Sequence, residues 1–395
     1  MLVACCMGMA ALSIDLMLPA FPQMRRAFGL EPESTRVSFL ITAFLLGLAI
    51  GQLVYGPMSD RFGRKPMLYA GLGIYATSAA AAALMPSLTG VIICRVLWGM
   101  GAAAPRSLAL AMVRDTFHGD QMARAMSHVM ATFIVVPVFA PGVGALLLAV
   151  APWRVVFWLP VVIAAGLALW TIRLPETLPP ERRRAVNPAA LGVALGEVVR
   201  NRRTAAFALA LTCLFGTMAS YIGSAQILIV EVFGQADAFP LIFGVLACML
   251  GVGNLVNGAV VQRFGFDRLV RFSVLHLLGA AAILAALAAG TDGRPPLWAF
   301  CGAVALLLPA VSMLMPNANT AAMAPLPHVA GMAAAVLGTV STGGGALIGS
   351  LVDSAYDGSI KPFAYGALAL AMVAATSVLV LAGPAPERAP TTVQP

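Results

Sequence analysis

Gly56-Pro57-Met58-Ser59-Asp60-Arg61-Phe62-Gly63-Arg64-Lys65 is a short basic turn set between two long apolar runs. It recurs half a chain later as Gly258-Ala259-Val260-Val261-Gln262-Arg263-Phe264-Gly265. One constant offset carries Gly56 to Gly258, Arg61 to Arg263, Phe62 to Phe264 and Gly63 to Gly265. A charged turn repeated in a chain this apolar implies two similar membrane bundles joined end to end, an architecture that secondary transporters use.

Composition supports the bilayer as solvent. Of 395 residues, 60% are hydrophobic and 10% charged, against about 25% charged in a typical soluble domain. Mean hydropathy is +0.91. In hydrocarbon the backbone must satisfy itself, as helices or as a closed barrel. The apolar segments have the length of about 20 residues that a crossing helix needs, rather than the alternating segments of about 10 that barrel strands show. The fold class expected is therefore all-α integral membrane, with spans near 3–22, 36–57, 67–86, 88–112, 125–148, 154–172, 204–230, 239–261, 269–289, 296–317, 329–353 and 362–382. That is twelve transmembrane helices in two pseudo-symmetric six-helix bundles, 1–173 and 204–382, with a cytoplasmic linker over 174–203 and a Pro-rich, disordered tail over 383–395. The linker is expected to be helical from Pro188 to Val199. The first apolar run lacks a basic leader and a small-residue cleavage site and contains Asp15, so it reads as a span, with an N-terminal tail preceding it in the full gene.

The net charge of +8 is gathered in short loops. Arg61, Arg64 and Lys65, Arg114 and Arg124, Arg173 to Arg203, and Arg263, Arg268 and Arg271 fall on one side; Arg25, Arg26, Arg36, Arg154, Arg294 and Lys361 fall on the other. This asymmetry places both termini in the cytoplasm and argues against nucleic acid as the partner. The six cysteines lie in apolar runs without a CxxC pair, and His118, His128, His276 and His328 are dispersed, so no metal site is expected.

Asp15, Arg95 and Arg106 are full charges inside spans, where each costs at least about 2.5–3.5 kcal/mol. Helical rise puts Asp15 and Arg95 at a common depth of roughly 10 Å, making them one candidate ion pair, with Arg106 deeper. Asp15 is either a proton carrier, biased in opposite senses by burial and by Arg95, or half of a permanent structural pair. Arg106 contacts substrate or bonds helices together. Trp98, Phe139 and Tyr221 offer apolar walls for a ligand. Gln226, Asn254 and Asn317 either line a cavity or bond between helices. In the turn, Gly56 allows close packing, Asp60 can cap a helix, and Arg61, Arg64 and Lys65 can bridge to carboxylates such as Asp115, with Arg263 as the counterpart. Pro137, Pro141, Gly142 and Gly144 form a helix-breaking set in the fifth span, and Gly338, Gly343, Gly344, Gly345 and Gly349 line the eleventh. Trp153 and Trp158 read as interfacial belt residues.

The Gly56–Lys65 turn resembles the signature loop between spans two and three of the major facilitator superfamily. Arg95-Val-Leu-Trp-Gly99-Met-Gly101 is similar to the fourth-span motif of its drug/proton antiporters. Ser13-Ile-Asp15-Leu-Met-Leu-Pro19-Ala-Phe-Pro22, Arg114-Asp115 and Pro316-Asn317-Ala-Asn319 resemble its bicyclomycin/chloramphenicol-resistance (Bcr/CflA-type) branch. Three positions depart: Ala140–Ala145 matches the antiporter fifth-span motif only in part, Gln262 replaces the acid of the second turn, and Ala324 stands where many relatives have Glu. The resemblance implies the major facilitator fold and proton-driven export of small toxic compounds from the inner membrane. It further implies coupling through Asp15 with Arg95, a monomer, and no cofactor beyond the proton gradient. A transporter of an amino acid or sugar is the alternative; a membrane enzyme would need a nucleophile, dyad or metal cluster that the spans do not offer, and no nucleotide-binding motif is present.

Overall fold

The structure is a computed structural model that describes residues 2–117, 119–183 and 188–382; the side chains of 119–120, 123–134, 182, 188–191, 262 and 267 lie outside that description. The tail 383–395, His118 and Arg184 therefore fall outside the described residues, as do the side chains of Arg124, His128 and Gln262.

Among the described residues, ten helical stretches are long and apolar enough to cross a membrane, and two shorter apolar helices accompany them. The N-terminal half comprises α1 (Leu2–Asp15), α2 (Phe21–Ala27), α3 (Phe39–Phe62), α4 (Arg64–Leu84), α5 (Leu88–Thr116), α6 (Gly119–Val150) and α7 (Val155–Thr171). The linker contributes α8 (Pro188–Arg200), where a helix from Pro188 was expected. The C-terminal half holds α9 (Arg202–Ile227), α10 (Phe239–Phe264), α11 (Phe266–Gly290), α12 (Leu297–Met323), α13 (Ala330–Ser354) and α14 (Lys361–Thr376). The two copies of the turn join equivalent helices, α3 to α4 and α10 to α11.

The first span departs from a continuous helix. α1 stops at Asp15, a 3-10 turn follows over Leu18–Ala20, and α2 begins at Phe21. Pro19 and Pro22 lack the N–H that would continue the ladder, so the chain breaks where the charge sits. In α6 the reverse holds: Pro137 and Pro141 lie inside a helix that runs through them. The set thus lies within a continuous helix, and the interruption is in α1.

Hydrocarbon gives no hydrophobic force between helices, so close approach of small residues holds the bundles together. α5 is the hub of the N-terminal half, and a Cβ on Gly99 would collide with the Phe44 carbonyl of α3. α13 uses its glycines on two faces. Gly345 and Gly349 press against Phe215 and Ser220 of α9, while Gly338 and Gly343 meet Gln52 and Ala49 of α3 in the other half. The halves also touch where Gly244 of α10 meets Val138 of α6.

Candidate functional site

Asp15 is 3% exposed at the end of α1. Among the described residues none donates a hydrogen bond to its carboxylate. Its electrostatic neighbour is Tyr221 of α9, across the seam between halves. Tyr221 is itself buried, stacked on Phe243 with ring centroids 5.7 Å apart, and its hydroxyl has no hydrogen-bond partner among the described residues. Gly144 packs against the Leu16 carbonyl at the break, a close approach of α6 to the Asp15 turn. Nothing packs within 4 Å of where a Gly142 Cβ would stand.

Arg95 lies at the level expected from helical rise, but it does not pair with Asp15. Its Nη1 donates to the Ser13 carbonyl at 3.0 Å and its Nε to the Leu40 carbonyl at 3.1 Å. The guanidinium stacks over Phe44 and Trp98, 4.5 and 4.7 Å from their centroids. The cause is the break: stopping α1 at Asp15 leaves carbonyls of its last turn without intrahelical donors, and a cation belongs at that negative end. Arg95 is thus a positioning residue for the turn that carries Asp15. Ser13, whose hydroxyl lies 2.6 Å from that of Tyr75, fixes the same turn from α4.

The expected cavity set divides. Trp98 is 1% exposed and packed among Phe44, Tyr75 and Phe157, so it belongs to the core of its half. Asn317 donates to Asn257 at 2.6 Å and to the Met313 carbonyl at 2.8 Å, tying α12 to α10. Gln226 is wholly buried with neither amide atom bonded. Phe139 and Asn254 are exposed, and Arg106 is half-buried without an ion pair among the described residues. Of the two tryptophans assigned to the interface, Trp158 is exposed, but Trp153 is buried against Phe28 and Phe157.

The basic turn forms a latch. Gly63 ends α3 at φ +101°, a conformation that favours glycine. Arg64, 5% exposed, donates to Asp60 at 2.7 Å, to Ser59 at 2.6 Å and to Asp115 at 3.1 Å. Glu176 closes it: its carboxylate accepts from the backbone N–H groups of Arg64 at 2.9 Å and Lys65 at 3.1 Å, capping α4. Lys65 Nζ returns to the carbonyls of Ile172 and Leu174, fastening the linker to the turn. Gly56 has open space beside it, so close packing is not its role, and Arg61 is exposed over Phe62. Arg263 in the second copy is exposed and unpaired among the described residues.

Sequence reading missed two carboxylates. Glu176 follows the sixth span between Pro175 and Thr177, and that placement beside the basic turn is its only signal. Asp353 stands at the last turn of α13, 8% exposed, and accepts from Ser220 at 2.8 Å. No cluster of His, Cys, Asp or Glu suited to a metal occurs among the described residues.

Twelve apolar helices in two halves, a repeated basic turn and a seam carrying a buried carboxylate define a secondary transporter, and the family comparisons agree. The Major Facilitator Superfamily profile matches residues 3–350, and the chain belongs to that family. The MFS-type transporter YdgK of Bacillus subtilis (strain 168) is 30% identical over 352 residues, 87% of this chain and 84% of that one. A bicyclomycin resistance protein homolog of Haemophilus influenzae is 27% identical over 86% of this chain and 85% of its own, in keeping with the branch that the motifs resemble. The crystal structure of a D-xylose-proton symporter superposes with a TM-score of 0.79, covering 97% of each chain at 14% identity. That likeness is one of fold.

Proposed function

We propose that this protein is a proton-coupled exporter of small drug-like compounds in the cytoplasmic membrane, with both termini in the cytoplasm. The observation that carries the reading is Asp15: a buried carboxylate with no donor among the described residues, held at a helix break beside Tyr221 of the opposite half. A charge left without compensation in such a place is costly, whereas the neutral acid is not. A group so placed takes a proton when its side of the seam opens outward and gives it up when it opens inward. Arg95 holds the turn without neutralising the carboxylate, so the proton remains exchangeable. The bicyclomycin-resistance homolog and the sequence motifs supply the substrate class. The arginine-rich turns and linker face the cytoplasm by the rule that orients membrane proteins.

Cells expressing the protein test the substrate class directly. Reduced accumulation of chloramphenicol or a quaternary ammonium dye, restored by an uncoupler, is the expected result. Exchange confined to an amino acid or sugar panel would replace drug export with metabolite transport.

A further inference from the structure

Away from Asp15, the face opposite the basic turn holds a second buried carboxylate that the coupling scheme does not use. Asp353 lies at the end of α13, and its carboxylate presses on Gly223 of α9, where a Cβ would collide with it. The Gly223 carbonyl accepts from the hydroxyl of Ser38, in the N-terminal half, at 2.8 Å. A cavity of about 10 Å³ joins these groups, lined from the N-terminal half by Thr35 and Ser38 and from the C-terminal half by Ser224, Asp353 and Tyr356 among others. The acid is therefore shut inside the joint between the halves, one step from a bond that crosses it.

The charged and titratable neighbours can be named. α9 presents Ser220, Gly223 and Ser224, and the 3-10 turn before α3 presents Thr35 and Ser38, none of which carries charge. Tyr356 follows α13; burial first, then the negative charges of Glu33 and Glu231, push its hydroxyl up to about 12, so it stays neutral across the working range. Beyond Tyr356 lie Arg25, Glu231, Glu33 and Asp357. Arg25, 2% exposed, pairs with Glu231 at 3.7 Å across the same joint.

We propose that Asp353 is a second proton-binding site, separate from Asp15, whose protonation lets the outer joint between the halves close. Closing the joint over an ionised Asp353 buries a charge with one donor, Ser220; closing it over the acid does not. When the joint is open, Asp353 meets the outside solution and equilibrates with it. Acid outside then favours the return to the closed state, and alkali holds the joint open. This rests on the exporter reading for its direction, since a proton taken from outside becomes a condition of the return step.

Spin labels at the exposed Glu31 and Asp237, one on each half, report the joint by double electron–electron resonance in protein whose native cysteines are replaced. At about pH 5.5 the short, closed distance should dominate, and at about pH 8.5 a longer one should grow in. Asp353→Asn should hold the short distance at both, lowering the open-to-closed ratio at alkaline pH by about tenfold, equivalent to about 1.4 kcal/mol. Asp353→Ser, smaller and equally neutral, tests the same point if the amide folds poorly, with a monodisperse size-exclusion profile as the control. Glu231→Gln should keep the pH response. A wild-type response that survives in both Asp353 variants, or no response in the wild type, overturns the proposal. A response lost only in the Asp353 variants supports it even if drug exchange proves absent, so failure of the exporter reading is told apart.

Discussion

Gly63 and Gly265 both take positive φ, +101° and +79°, to turn one membrane helix into the next. Around Gly63 the turn is tied by Arg64, Asp60, Asp115 and Glu176, and a Cβ on Gly63 would stand 2.6 Å from the Glu176 carboxylate. Around Gly265 no described residue lies within 4 Å of where a Cβ would stand, and Arg263 is exposed. The repeat therefore conserves the backbone turn, which the geometry of two antiparallel helices demands, while among the described residues the polar network belongs to the first copy. The network is where the linker is anchored, and the linker leaves only the first half. Among the described residues one copy acts as a latch and the other as a plain corner.

That difference is open to measurement through the thermal stability of purified protein in detergent. The largest effect is expected from Arg64→Ala, which strips the partly buried Asp115 of its cation and should cost about 3 kcal/mol. Its counterpart Arg263→Ala should stay within about 0.5 kcal/mol. A similar loss from both would erase the distinction. Gly63→Ala comes next: the strained φ costs about 1–2 kcal/mol and the new methyl displaces Glu176 as well, whereas Gly265→Ala carries the backbone strain alone. Glu176→Gln is the finest probe. It keeps the shape of the cap, gives up its charge at the α4 N-terminus, and should cost about 1 kcal/mol. Proteolysis within the linker should rise in the same variant, because Lys65 and Glu176 together hold that segment.

The fold was legible because its signals are local and repeated: apolar length, the copied turn, the Pro and Arg content of the linker. The site was legible only in part. Helical rise placed Asp15 and Arg95 at one level, and the Arg95 bond to Ser13 agrees with that level. Pairing them assumed that the first span is a single helix; Pro19 and Pro22 end that helix at Asp15 and leave the Ser13 carbonyl for Arg95 to satisfy instead. Trp98 and Asn317 carry polar or aromatic groups at helical spacing, but spacing alone does not say whether a face meets its own bundle or the seam. Asp353 looked like the end of a span; packing against α9 and the segment from Tyr356 to Phe363 makes it buried. Glu176 sits more than a hundred residues from the backbone groups it caps, a separation that no local pattern reveals.

The central claim is that Asp15 exchanges the proton that drives export. Its most direct test is proton flux in inverted, respiring vesicles containing the protein, followed with a pH-sensitive dye as chloramphenicol or a quaternary cation is added. The account predicts a drug-evoked collapse of the gradient in the wild type and none in Asp15→Asn. An undiminished drug-evoked signal from correctly inserted Asp15→Asn protein would contradict it.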